Sequence, residues 1–269
     1  MQKLPVFKIF GGMLDSVIEN LGDAFRMSWP WLLVLFPIRL AGDLFLFFEG
    51  ISKTKPLPAQ LFTFLAIAYG IALLTAVAFS SIAVNWHRFI LRSEVAEGGQ
   101  RLRLDGLVWR YFFVGLGIAI LLGLVVAGAG LVFTLVGVGF AALSPTLAII
   151  LGVIVGLPLL LFVLGISARW SVKLVAVALG NKEYSLSDAW RATDGNTWRL
   201  AGLEFLFLFA VLLISLINFG AGYLATVADS ALVAAAVAAV AVIVGWFSTL
   251  MGITMLTSVY AFFVEKKVF

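Results

Sequence analysis

Residues 111–168 read YFFVGLGIAILLGLVVAGAGLVFTLVGVGFAALSPTLAIILGVIVGLPLLLFVLGISA, 58 residues without one charged side chain. A helix needs about 20 predominantly apolar residues to cross roughly 30 Å of hydrocarbon. The run is therefore too long for one crossing and right for two, joined near Gly139 to Pro145. Extending the same count outward gives four more stretches. The first runs from about Trp29 to Phe48, with Ser28 expected as N-cap and Pro30 in the first turn. The second covers about Leu61 to Val84, the fifth about Leu200 to Leu224, and the sixth lies within Ala231 to Val264. That last stretch is long enough to require tilt or projection. The expected fold class is all-α: a polytopic membrane protein with six transmembrane helices, forming one integral domain over residues 1–269.

Composition agrees. The chain is 63% apolar or aromatic and 12% charged, against about 25% charged in an ordinary soluble domain. A mean hydropathy of +1.13 excludes a soluble enzyme, because too few polar residues remain to cover a surface. Cysteine is absent and histidine occurs once, so disulfides, thiolate chemistry and histidine-based metal centres are not expected. No nucleophile elbow, phosphate loop, metal box or paired-carboxylate constellation occurs. The expectation is a non-enzyme with no cofactor. The first residues, Met1 to Lys8, lack the uninterrupted apolar stretch of a secretory signal, so insertion is expected to begin at the first span.

Basic residues set the orientation. Of the 18 Lys and Arg, only Lys53 and Lys55 fall on one side, Arg39 lies within a span, and the rest occupy the termini and the connectors between spans two and three and between four and five. Both termini are thereby expected in the cytoplasm. Trp29, Trp31, Trp86, Trp109, Trp170, Trp190 and Trp198 fall at the same boundary, where amphipathic rings favour the headgroup layer. Only Trp246 lies deep. The net charge of +4 reads as topology and attraction to anionic lipid. Nucleic acid is not an expected partner, since the cations are dispersed among membrane anchors.

Leu21-Gly22-Asp23-Ala24-Phe25-Arg26, Leu104-Asp105-Gly106-Leu107-Val108-Trp109-Arg110 and Leu186-Ser187-Asp188-Ala189-Trp190-Arg191 each precede an odd-numbered span. Their arginines recur at intervals of 84 and 81 residues. This suggests a threefold internal repeat over 10–84, 98–168 and 181–265, each a surface helix followed by a pair of spans; coincidence at an interface that favours Leu, Trp and Arg is the competing reading. The first surface helix carries Phe10, Met13, Leu14, Val17, Ile18, Leu21 and Phe25 on one face, and Asp15, Glu19, Asn20, Asp23 and Arg26 on the other. It is expected to lie on the inner leaflet or to pack against the connectors. Both long connectors begin as helical extensions, broken at Gly98-Gly99 and Gly180-Asn181. Ser185 or Ser187 caps the next helix, and Asn196 caps span five.

The run Ala168-Arg169-Trp170-Ser171-Val172-Lys173-Leu174, then Gly180, Tyr184 to Thr193, and Asn196-Thr197-Trp198-Arg199, resembles a signature of bacterial six-span inner-membrane proteins, with a weaker echo at Asn85 to Glu97. That group includes the membrane domain attached to some glycerophosphodiester phosphodiesterases and many stand-alone proteins. In the fused proteins the chemistry belongs to a separate soluble domain, which the resemblance does not extend to. It implies a fold, an inner-membrane location and an association with lipid or envelope, and carries over no catalytic residue.

Candidate polar sites are few. Arg39 and Asp43 lie four residues apart on one face midway along span one. Charge at that depth costs about 2.5–3.5 kcal/mol, so such residues pair, face a cavity or work. They read either as a self-neutralising lock or as an anion or proton site of a transporter. Glu204 near the start of span five suits a dipole-favoured structural carboxylate that reaches Arg199 or Arg110, or alternatively a proton relay. Asn218 suits an interhelical hydrogen bond. His87, Arg88, Arg92, Arg110, Arg169, Arg191 and Arg199 form the interfacial set for lipid phosphate, with a solvated helix end as the alternative around His87. Gly152-x-x-x-Gly156 and Gly123-x-x-x-Ala127 permit close helix contact, within one chain or between copies. The expected role is a non-enzymatic scaffold, assembly or lipid-organising protein, its partners being lipid, another protein or a second copy. The alternative is a transporter or lipid-handling protein that uses Arg39 and Asp43.

Overall fold

The computed structural model describes residues 2–49, 58–227 and 230–267. Among them no strand occurs and almost all are helical. The order is α1 (Val6–Glu19), α2 (Leu21–Glu49), α3 (Pro58–Arg92), a 3-10 turn (Gly98–Leu102), α4 (Gly106–Leu143), α5 (Pro145–Ala178), α6 (Leu186–Ala192), α7 (Thr197–Val227), α8 (Ala231–Tyr260) and a closing π turn (Ala261–Glu265). Five of these helices are long and apolar enough to cross a membrane, consistent with an integral membrane protein. α2, which holds the first expected span, is 29 residues long with Pro30 and Pro37 inside it. The side chains of Arg39 and Asp43 on α2 lie outside the described residues, as does the connector from Gly50 to Leu57 with Lys53 and Lys55.

The charge-free run is a helical hairpin with a one-residue hinge. α4 ends at Leu143 and α5 opens at Pro145, between them Ser144, whose hydroxyl accepts the Leu147 N–H at 3.5 Å. Proline at the first helical position needs no N–H partner, so Ser144-Pro145 both stops one helix and starts the next. The Phe133 ring of α4 packs over Gly152 and Gly156, within 3.6 Å of where a methyl would sit on either. The small-residue motif thus receives an aromatic side chain from its own hairpin. Most of the hairpin is exposed at the protein surface: Leu124, Leu135 and Ile149 are each about two-thirds accessible, the state expected of side chains that face hydrocarbon.

By internal contacts the chain forms two compact units: residues 1–14, 110–208 and 255–269, and residues 15–109 with 209–254. In the second unit, α2 packs on α3, and the 3-10 turn packs on both. Trp86 is buried and donates its indole N–H to Thr254 Oγ1 at 2.8 Å; Trp246 donates to Ser28 Oγ at 2.8 Å and meets Phe25 edge-on. Asn85 donates to the Gln100 carbonyl, and Asp105 accepts the Leu107 and Val108 N–H groups to cap α4. In the first unit the buried side chains come from the end of α5 (Val172, Val175), from Ala189 of α6, from the start of α7 (Leu200, Leu203) and from the end of the chain (Tyr260, Phe262, Phe263).

Several local expectations shift. Ser28 is no N-cap: α2 begins at Leu21, and the Ser28 hydroxyl donates back to the Ala24 carbonyl inside the helix. Pro30 is accordingly an interior residue. The first surface helix stops at Glu19, and the buried stripe is Ile9, Met13 and Val17, while Phe7, Ile18 and Phe25 are exposed. Trp31 and Trp86 are buried, not facing outward with the other boundary rings. α3 ends at Arg92, with Ser93 at φ +56°, six residues before Gly98. The three similar segments take different places: Leu21–Arg26 opens α2, Gly106–Arg110 opens α4, and Leu186–Arg191 lies in the separate short helix α6.

Candidate functional site

The most elaborate polar construction is the elbow between α5 and α7. α5 closes at Gly180, whose φ of +82° is open to glycine without strain, its N–H reaching the Val177 carbonyl while the Asn181 N–H reaches Ala176. Asn181 Oδ1 then gathers the Glu183 and Tyr184 N–H groups. Ser185 caps α6 in a reciprocal box: its hydroxyl oxygen accepts the Asp188 N–H, and the Asp188 carboxylate accepts the Ser185 N–H at 2.8 Å and hydroxyl at 2.6 Å. The two bonds from Ser185 hold the Asp188 carboxyl below its usual range. Tyr184, partly buried and beside Tyr260, has its phenol pushed up to about 12.

Arg169 sits at the centre of this elbow, 3% exposed. Its Nε donates to Thr193 Oγ1 at 3.0 Å, one terminal nitrogen to Thr197 Oγ1 at 2.9 Å, and the other to the Trp190 carbonyl. The Asp194 carboxylate is 3.7 Å away, and the guanidinium lies 3.5 Å over the Trp190 ring. A planar fork with five donors can serve a hydroxyl pair, a carbonyl and an aromatic face together; an ammonium cannot. Close packing completes the joint, since a methyl on Gly165 would stand 2.6 Å from the Thr197 carbonyl oxygen.

The amino-terminal strap docks on the same unit. Asn196 Oδ1 accepts the Leu4 N–H at 2.9 Å, and its Nδ2 donates to the Gln2 carbonyl at 3.1 Å. Arg199 donates to the Leu4 carbonyl at 2.9 Å, and Leu4 is wholly buried. Asn196 thus latches the strap, with no part in capping α7 through Oδ1. Between strap and α7 lies a groove of about 730 Å³, bordered by Phe7, Lys8, Trp198, Arg199, Gly202 and Phe205.

The other candidates are dispersed. His87 is buried like Arg169, whereas Arg92, Arg191 and Arg199 are exposed and Arg88 and Arg110 half-exposed. Arg88 pairs with Glu94 at 2.6 Å, Arg191 with Asp188 at 2.8 Å, and Arg110 donates to the Lys182 carbonyl. Glu204 and Asn218 make no hydrogen bond or ion pair among the described residues, so Glu204 is not joined to Arg199 or Arg110. Thr193, Thr197 and Lys8 were not legible as site residues. A cluster of short polar side chains, Thr193-Asp194-Gly195-Asn196-Thr197, was the signal for the first two; nothing in the sequence ties Lys8 to a residue 191 positions away. Compared with known proteins, the chain matches no family model, no curated protein and no solved structure.

Proposed function

We propose that the chain is a six-span bacterial inner-membrane protein, both termini cytoplasmic, that organises lipid or assembles a partner and performs no covalent chemistry. It belongs, on this reading, with the six-span group that its Arg169 to Arg199 segment resembles, and α2 supplies the sixth crossing beside the five apolar helices. The observation that carries the reading is the Arg169 elbow. A buried cation whose three nitrogens each donate to an acceptor in the joint, Thr193, Thr197 and the Trp190 carbonyl, favours a role in holding helices together over one in meeting a substrate. Outside that joint, Arg110, Arg191 and Arg199 each follow a tryptophan, Trp109, Trp190 and Trp198, the composition of a headgroup-facing surface.

The test is native mass spectrometry of the full chain released in gentle detergent. Retained anionic lipid or a co-purifying protein in fixed ratio is the expected result. Hydrolysis of a lipid phosphodiester by the purified chain overturns the non-enzymatic role.

A further inference from the structure

The groove between the strap and α7 has the chemistry of one ligand class. Its cations, Lys8 and Arg199, have no carboxylate beside them in the lining, and neither forms an ion pair among the described residues. Arg199 is held in direction by its bond to the Leu4 carbonyl, which engages one of its five N–H donors. Around them stand Phe7, 80% exposed, and Trp198, 60% exposed, rings that water would not favour and that a headgroup layer does. Beyond Gly202 the wall becomes Phe205 and Leu206, and from there α7 continues as one of the helices apolar enough to cross a membrane. The volume falls within the range of about 300–1,000 Å³ found for small-molecule sites.

We infer that this groove seats one anionic glycerophospholipid, its phosphate facing Lys8 and Arg199 and its acyl chain running along Phe205 and Leu206. A free phosphate would gain nothing from the aromatic and aliphatic wall, and a zwitterionic lipid such as phosphatidylcholine would bring its own ammonium beside Lys8 and Arg199 together with its phosphate. Only a molecule with both parts answers both features. The inference rests on the lipid-organising reading above and adds the position and the headgroup class.

The test titrates the purified full chain with dioleoyl phosphatidylglycerol and dioleoyl phosphatidylcholine, counting bound lipids by native mass spectrometry. The wild type is expected to prefer the anionic lipid about tenfold, an affinity step of the size one good charged contact provides. Lys8→Gln removes the preference and Lys8→Arg keeps it. Gly202→Leu is expected to reduce binding of both lipids, because Gly202 borders the groove and a Cβ there has no neighbour within 4 Å, leaving room for a side chain that takes up groove volume. Arg199 is left intact, since its loss would also free the strap. Each variant is first shown to melt as the wild type does. If the wild type shows no preference, if Lys8→Gln and Gly202→Leu bind as the wild type does, or if glycerol phosphate displaces the lipid at equal concentration, the groove is not the site. Those results leave the lipid-organising reading standing, whereas phosphodiester turnover ends that reading itself.

Discussion

Arg169 takes a charge out of contact with water, and the cost is offset because each nitrogen of its guanidinium donates to an acceptor and one face lies on the Trp190 ring. Hydrogen bonds to charged groups contribute about 1.5–3 kcal/mol each, and three converge here. Arg169→Gln is therefore expected to cost about 3 kcal/mol or more in a detergent-titration unfolding experiment, with Arg169→Lys little better because an ammonium cannot imitate the fork. Arg191, 73% exposed at its side chain, is the control: Arg191→Gln should fall within about 0.5 kcal/mol. The capping box yields a pH prediction. Since Ser185 lowers the folded Asp188 pKa, the ionised carboxylate supports α6 above its unfolded pKa, about 3.9, and that support is lost as pH falls through the lower folded value. Ser185→Ala should return the Asp188 pKa upward toward the ordinary range in an NMR titration. At this scale the sequence was a partial guide. Arg169 was visible as a boundary cation, but its burial depends on Thr193 and Thr197, which come close only after α5 and α7 fold against α6.

Among the elements, helix ends written in local chemistry were legible and those set by packing were not. Ser144-Pro145, Gly180 and Ser185 act on their own backbone within a few residues, and the hairpin turn and both ends of the elbow fall where they indicate. Ser28 misleads for the same reason in reverse. Serine two residues before a proline imitates a helix start, yet Leu21 to Met27 already form helix, and the serine hydroxyl is spent on Ala24 and Trp246. The stripe on α1 likewise depends on which neighbours cover it, so Ile9 is buried where periodicity favoured Phe10. Packing tolerance can be tested glycine by glycine. Gly165→Ala drives a methyl into Thr197 and is expected to cost about 1–3 kcal/mol. Gly152→Ala meets only the Phe133 ring at ordinary contact distance and should change stability by no more than about 0.5 kcal/mol.

For the whole molecule, the proposed crossings make a clean labelling prediction because the chain holds no cysteine of its own. Single cysteines at Thr54 and Val227 should react with an impermeant maleimide added outside intact cells, and one at Glu183 only after lysis. The reverse pattern inverts the orientation, and disagreement between Thr54 and Val227 changes the number of crossings. Total apolar length and basic flanks made the membrane class legible from the sequence. The latch of residues 2–4 on Asn196 was not, because no periodic signal links positions nearly two hundred apart. That separation also sets a timetable. Leu4 leaves the ribosome 192 residues before its acceptor, so at about 5–20 residues per second the nascent amino terminus waits roughly 10–40 s without a seat. A bulky fusion joined ahead of Gln2 is expected to block that late docking on Asn196 without stopping insertion, seen as protease cleavage next to Leu4 that the unfused chain resists.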